Sequence, residues 1–482
     1  MTMTQAVLPE GLVAVVKSDC PTCQLVAPVL SALRNAGMVL TVFNQDGPAF
    51  ADDIEVIADD DLSVSWSLDL ETVPTLVRVQ GGRVVARTEG WMRGRWEALT
   101  GMGGLGADLP EHRPGCGSLT LDPALKDVLA ARFQSGRLQA RRITLGALED
   151  DMEACYDRGW SDGLPVVPPT PARVLRMLEG TTRAPDEVVG MVAPARAECT
   201  VEQVAINAVL AGCRPEYLPV VLAAVEAACT DEFNLHGVLC TTYFATPVII
   251  VNGPIGREIG MNSGINVLGQ GNRANASIGR ALQLIVRNVG RGHPGEIDRA
   301  TFGHPGKYTC CFPENEQDSP WEPLAVERGL PAGRSAVTLF AGEAPRAAVD
   351  EHSRTPESLA RSLAMALRAV GHPRKLRNLD ALVAISPQHM GVLRQGGWSR
   401  QRLRDELVEL LTAPVDDVRP GVDGCQQGEP DLPARGPVRK FDPEQLLFVH
   451  AGGGAGPTSA VFGGWLRGDR GGSYPVTREV RA

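Results

Sequence analysis

Two cysteines three positions apart, in Cys20-Pro21-Thr22-Cys23, carry the most direct chemical signal in the chain. Upstream, Leu12 to Val16 form an apolar, largely β-branched run. Downstream, Leu25, Val26, Val29, Leu30 and Leu33 recur at helical spacing up to Gly37. That pattern predicts a strand, then a helix that stops at the glycine. Cys20 then falls at a helix N-terminus, with Cys23 one turn inside. Free N–H groups and the positive end of the helix dipole stabilise a thiolate at that place. The second thiol can resolve the mixed disulfide that the first one makes. A zinc reading would need a second ligand pair close by, and this segment offers none.

Further on, Glu71-Thr72-Val73-Pro74-Thr75-Leu76-Val77 runs into a strand, a Gly81-Gly82 turn and a second strand from Arg83 to Arg87. Strand, CxxC, helix, Val-Pro-Thr and hairpin, over about residues 8–102, resemble the thioredoxin superfamily. The resemblance implies a cis peptide bond at Pro74, facing Cys20 and Cys23. Thioredoxins proper carry Trp before the first cysteine and a buried Asp six residues upstream; here those places hold Asp19 and Ala14. Asp19 is expected to raise the thiol pKa slightly, and the missing carboxylate removes a proton acceptor. Redox potential and partner choice are therefore not carried over. Residues 101–120 are rich in Gly and Pro with little periodicity, which reads as a linker. Within it Cys116, between Gly115 and Gly117, is either a relay thiol or an incidental surface cysteine.

The densest polar chemistry lies in two Gly-His-Pro-Gly copies, at 292–295 and 303–306, followed by Lys307-Tyr308-Thr309-Cys310-Cys311-Phe312-Pro313-Glu314. His293, His304 or Glu314 suit general acid–base work, and Cys310 or Cys311 a nucleophile. The same residues serve equally as loop caps and core packing. Gly269-Gln270-Gly271-Asn272-Arg273, running into a helix that also carries Arg280, would make an anion site from backbone N–H groups and guanidinium forks. It fits G-x-G-x-x-A formally, but no ribose-binding acid about 20 residues later supports a dinucleotide site; a structural turn is the alternative. Cys240, in Leu239-Cys240-Thr241-Thr242, or Cys310 is the candidate internal electron acceptor. Gly452, Gly453 and Gly454 leave a predicted strand, Gln445 to Val449, as a candidate substrate loop with Lys307 as a further ligand. His389 and His450 also follow strand ends, where α/β folds place their crevice.

The elements that must position these residues alternate strand with helix. Thr170-Pro171, Thr200 with Gln203, and Ser399 mark helix starts. The predicted class is α/β: a thioredoxin-like domain (1–102), a linker and connecting segment (103–150), an α/β catalytic or substrate domain (151–345) and a C-terminal α/β region (346–482) packed on it. The chain has 482 residues, 43% of them apolar, enough for several cores. A net charge of −10 and 5% aromatics argue against nucleic-acid binding. No apolar run approaches the roughly 18 residues of a membrane span, and no basic n-region with an apolar h-region opens the chain. A cytoplasmic protein is expected, its eleven cysteines mostly thiols.

From about residue 150 the segments GWSDGLPVVPPT, AGCRPEYLPVV and NRANASIGRA resemble a group of uncharacterised bacterial proteins. That group keeps company with small thiol- or selenol-containing proteins of the UGSC family, which implies sulfur or selenium chemistry and assigns no residue. The expected function is a thiol–disulfide oxidoreductase in which the CxxC domain passes electrons to, or keeps reduced, a fused domain acting on a small sulfur- or selenium-containing or other anionic substrate. A thioredoxin-reductase-type donor or a small thiol or selenol protein is the expected partner. No cofactor is predicted, and metal is left open. The alternatives are a carbon–heteroatom lyase or hydrolase whose thiols the first domain keeps reduced, and a client-binding module.

Overall fold

The computed structural model describes residues 8–51, 54–134, 136, 138–146, 148–429, 431–468 and 471–481. Contacts divide the chain into two compact units, 1–138 with 171–175, and 139–170 with 176–482.

In the first unit, β1 (Gly11–Val16) leads into α1 (Pro21–Asn35), which returns to β2 (Leu40–Asn44) parallel to β1. After β3 (Ile57–Ala58), α2 (Ser63–Ser67) and β4 (Thr72–Val73) comes β5 (Thr75–Gln80), antiparallel to β1. Gly81 and Gly82, both at positive φ, turn the chain into β6 (Arg83–Glu89). The five-stranded sheet runs β3-β2-β1-β5-β6, so the fully apolar β1 lies at its centre. Val13, Val15, Leu30, Leu33, Leu76 and Val77 fill its core. β7 (Trp91–Met92) and α3 (Arg93–Thr100) follow, with Trp91 and Trp96 edge to face at 5.3 Å.

The segment expected to be a linker is not free chain. It adds β8 (His112–Arg113) to β7 and β9 (Cys116–Gly117) to β4, then forms α4 (Pro123–Gln134). Trp91 Nε1 donates to Pro110 O (2.6 Å), and Gln45 Nε2 donates to Ser118 Oγ (2.7 Å). Within this segment Gly115 passes so close to Val73 O and the Thr72 side chain that only a glycine fits.

In the second unit, α5 (Asp151–Asp157) is followed by α6 (Pro171–Leu178), whose first residues cluster with the first unit. A hairpin of β10 (Val188–Val192) and β11 (Ala197–Thr200) precedes α7 (Val201–Ala211), α8 (Leu218–Ala228) and α9 (Leu235–Cys240). Then come β12 (Thr246–Asn252), α10 (Ile255–Glu258), α11 (Arg273–Asn288), β13 (Cys311–Pro313), α12 (Leu324–Glu327), β14 (Ala336–Gly342) and β15 (Arg346–Val349). The remainder is α13 (Pro356–Arg368), β16 (Leu379–Ile385), α14 (Pro387–Gln395), α15 (Arg400–Leu410), β17 (Thr412–Pro414), β18 (Pro437–Arg439), β19 (Leu446–His450), β20 (Thr458–Leu466) and β21 (Val476–Glu479).

An eight-stranded sheet holds this unit, in the order β13-β12-β14-β20-β16-β19, with β15 on β20 and β21 on β14. Its two halves repeat one plan. β12 has a parallel neighbour β13 and an antiparallel one β14; β16 has a parallel neighbour β19 and an antiparallel one β20. The halves join through a single pair, Gly342 with Gly464. At that joint the sheet folds back on itself. Val248, Ile250, Phe312 and Phe340 of one half share a core with Leu382, Ala384, Val449 and Phe462 of the other. Both central strands are buried along their whole length, which is why Val248–Val251 and Ala381–Ile385 are continuously apolar rather than alternating. Residues 151–345 and 346–482 thus contribute strands to one sheet. The chain is α/β with mixed sheets, and no helix among the described residues is long and apolar enough to cross a membrane.

Candidate thiol site and strand-end clusters

Cys20 is the N-cap of α1. Its Sγ accepts the Cys23 N–H (3.3 Å) and lies 3.6 Å from Val73 O, on the β4 residue joined to Pro74 by a cis peptide bond. Cys23 sits one turn into the helix and accepts the Lys17 N–H (3.4 Å). Cys20, Cys23 and Pro74 are thus brought together. The third group at this place is Cys116, whose Sγ is 2.6 Å from Cys20 Sγ. It is delivered by β9, paired antiparallel with β4 so that Cys116 faces Val73.

Burial acts to raise the Cys20 thiol, but hydrogen bonds from the Cys116 thiol and the Cys23 amide outweigh it and hold it below its ordinary value. Burial, then the hydrogen bond with Cys20 and its charge, raise Cys116. Burial pushes Cys23 far up. Of the three sulfurs, Cys20 is therefore the one that most readily loses its proton. Asp19, expected to oppose the thiolate, is largely exposed and paired with Lys17 (3.2 Å). Cys20 and Cys23 are 1% and 0% exposed, whereas Cys116 is part-exposed.

The residues expected to act in the second unit are dispersed. Cys310 and Cys311 lie under α11, where burial pushes the first up to about 12 and the second well above the ordinary thiol value, so both are protonated near neutrality. His304 Nδ1 accepts the Gly306 N–H (3.1 Å), and burial lowers its pKa, so it caps its turn as a neutral ring. Lys307 pairs with Asp298 (2.7 Å), tying the loop of His293 to the loop of His304.

The expected anion ligands are committed elsewhere. Arg280 makes a two-pronged pair with Asp162 (2.8 Å each) and donates to Pro165 O and Leu164 O. Arg273 Nε donates to Gly212 O (2.8 Å), and Asn272 caps the N-terminus of α11 itself. Around Gly269 and Gly271 the Asn266 side chain folds in, donating to Gln270 O (2.7 Å). Cys240 closes α9 exposed, its Sγ 3.2 Å from His236 Nε2, a pair missed in the sequence although the i, i+4 spacing contains it. The chain continues from Cys240 through Thr241 into a cavity of about 540 Å3 lined by Tyr243, Phe244, Phe302, Lys375 and Trp465.

A second cluster lies at the ends of β12, β13, β16 and β19. Asn315 N–H donates to His450 O (2.7 Å), and Gly452 N–H donates to Ser263 O (2.9 Å), seating the 452–454 loop beside them. Glu314 accepts from Asn252 (2.7 Å) and the Leu324 amide (2.8 Å), and pairs with Arg400 (3.3 Å). Burial nevertheless raises its carboxyl to about 7. Asn252 also donates to Glu316 (2.9 Å). His450 Nδ1 faces Ile385 O (2.9 Å), which places the neutral ring's proton on Nδ1. His389 lies between Ser459 Oγ (2.7 Å) and Asp350 O (3.2 Å). Among the described residues no group of three or more His, Cys, Asp or Glu is placed to hold a metal ion.

No family model, curated protein or solved structure matches this chain.

Proposed function

We propose that the chain is a cytoplasmic thiol–disulfide oxidoreductase. Its first unit is thioredoxin-like, with Cys20 attacking and Cys23 resolving, and its second unit takes a small sulfur- or selenium-containing or other anionic substrate. The observation that carries this reading is the Cys20 sulfur at the N-terminus of α1, beside cis-Pro74, its pKa held below the ordinary thiol value by hydrogen bonds and with a second thiol one turn away. The strand order, with β1 between parallel β2 and antiparallel β5 and α1 leaving β1 at the cysteines, supports the thioredoxin-like assignment.

The steps balance as ordinary exchange. The Cys20 thiolate attacks one sulfur of a substrate disulfide and expels the other as a thiolate. Cys23 loses its proton to that leaving group and attacks Cys20 Sγ, expelling the second thiolate. The substrate gains two electrons, and Cys20–Cys23 becomes the disulfide that a thioredoxin-reductase-type donor or a thiol protein reduces. The test is turnover of a peptide disulfide with dithiothreitol as donor. Cys20→Ser is expected to lose it by roughly a hundredfold or more, and Cys23→Ser to stall with Cys20 held in a disulfide that is not resolved. Turnover surviving Cys20→Ser would overturn the reading. Buried Glu314, with its carboxyl raised to about 7 beside a small cavity, favours the lyase or hydrolase reading for the second unit. That alternative requires the second unit's activity to survive Cys20→Ser and fail in Glu314→Gln.

A further inference from the structure

The geometry points to Cys116 as a third redox thiol, through which an external disulfide reaches the buried Cys20–Cys23 pair. This rests on the exchange chemistry proposed above and goes beyond the two-cysteine scheme.

Access is the first argument. An attacking sulfur must meet a disulfide end-on, and Cys20 and Cys23 are 1% and 0% exposed. The strap from 110 to 121 packs over the pair, and the one part-exposed cysteine of this cluster is on it. The second argument is how that strap is held. Pairing of Cys116 with Val73 fixes the register. Thr22 Oγ1, from inside the CxxC motif, donates to Pro114 O (2.7 Å). Gln45 holds Ser118 Oγ and the Leu119 amide (2.7 and 3.0 Å). Gly115 lies so close to Thr72 and Val73 O that any side chain there would collide with both. An incidental surface cysteine needs none of this. A thiol that must reach Cys20 repeatedly needs all of it.

The chemistry closes without a further reagent. Cys116 passes its proton to Cys20 and attacks the external disulfide, forming a mixed disulfide and expelling one thiolate, which takes the proton back from Cys20. The Cys20 thiolate attacks Cys116 Sγ, forming Cys20–Cys116 and expelling the second thiolate. Cys23 then attacks Cys20 Sγ, giving Cys20–Cys23, and its proton goes to the departing Cys116 sulfur. One disulfide is reduced to two thiols, and one is formed in the protein. The sulfurs that must exchange are already in contact, so the middle step is intramolecular and outruns any bimolecular alternative.

The experiment treats the full chain with limiting oxidised glutathione and maps disulfides by peptide mass. In Cys23→Ser the expected product is a Cys20–Cys116 disulfide; glutathione on Cys20 with Cys116 still a thiol would overturn the relay. In Cys116→Ser, Cys20–Cys23 formation is expected to slow by about tenfold or more, while an unchanged or faster rate would reduce Cys116 to a lid and overturn the relay. Wild-type chain that forms no Cys20–Cys23 disulfide at all would instead sink the exchange reading itself. The Cys23→Ser map keeps the relay testable if Cys116→Ser misfolds.

Discussion

Glu314 shows how a single buried carboxyl sets the pH response of the second unit. It is 6% exposed and has three partners, Asn252, the Leu324 amide and Arg400, yet loss of water dominates and raises it from 4.5 to about 7. Between those values the folded chain holds a proton that the unfolded chain has released. Stability from this group is therefore full below about 4.5 and is lost as pH rises through about 7. The gap corresponds to roughly 3 kcal/mol. Asp380, raised to about 7 by burial against the pull of Arg467, acts with the same sign. We expect Glu314→Gln to flatten the fall in urea midpoint between about pH 4.5 and 7. An unchanged slope would mean that Glu314 stays ionised across the range. The sequence could offer Glu314 only as one of several polar residues near two histidines. Its burial comes from partners 62 and 86 residues away, Asn252 and Arg400, which no local pattern contains.

At the scale of elements, what lies within a few residues was legible. Thr200 and Gln203 close the capping box on α7, and Ser399 accepts the Arg402 N–H to start α15, because a cap is built from groups three positions apart. Thr200→Ala should cost about 1 kcal/mol, read as a lower urea midpoint at constant slope. Long-range pairing was not legible. Arg280 was read as an anion ligand because it shares a helix with Arg273, but its carboxylate partner, Asp162, is 118 residues upstream. Cys116 is 96 residues from Cys20, on a strand of two residues that no periodicity announces. Its one local sign was the pair of flanking glycines, of which Gly115 marks a close approach. Gly115→Val should lift the strap and raise the rate at which iodoacetamide alkylates Cys20, by about tenfold, since reactivity follows thiolate access. An unchanged rate would show that the strap does not shield the thiol.

For the molecule as a whole, the joint between the sheet's two halves is the place where a small change should have the widest effect. β14 and β20 meet at Gly342 and Gly464, and residues of both halves share one core. A side chain at Gly464 would sit 2.6 Å from Asp380 O, inside the β16–β20 ladder, and one at Gly342 would strike the Phe340 ring. Gly464→Val must therefore push β20 off β16 or open the layer that holds Phe312 against Phe462, stacked at 6.0 Å. Overpacking of this kind costs about 1–3 kcal/mol, and more when backbone is the obstacle. The first unit has its own core around β1 and shares none of these residues. Hydrogen exchange followed peptide by peptide should then show faster opening of 246–252 and 379–385 in Gly464→Val, with 11–16 and 75–80 unchanged. Equal loss of protection in both sets would mean that the two cores open as one cooperative unit.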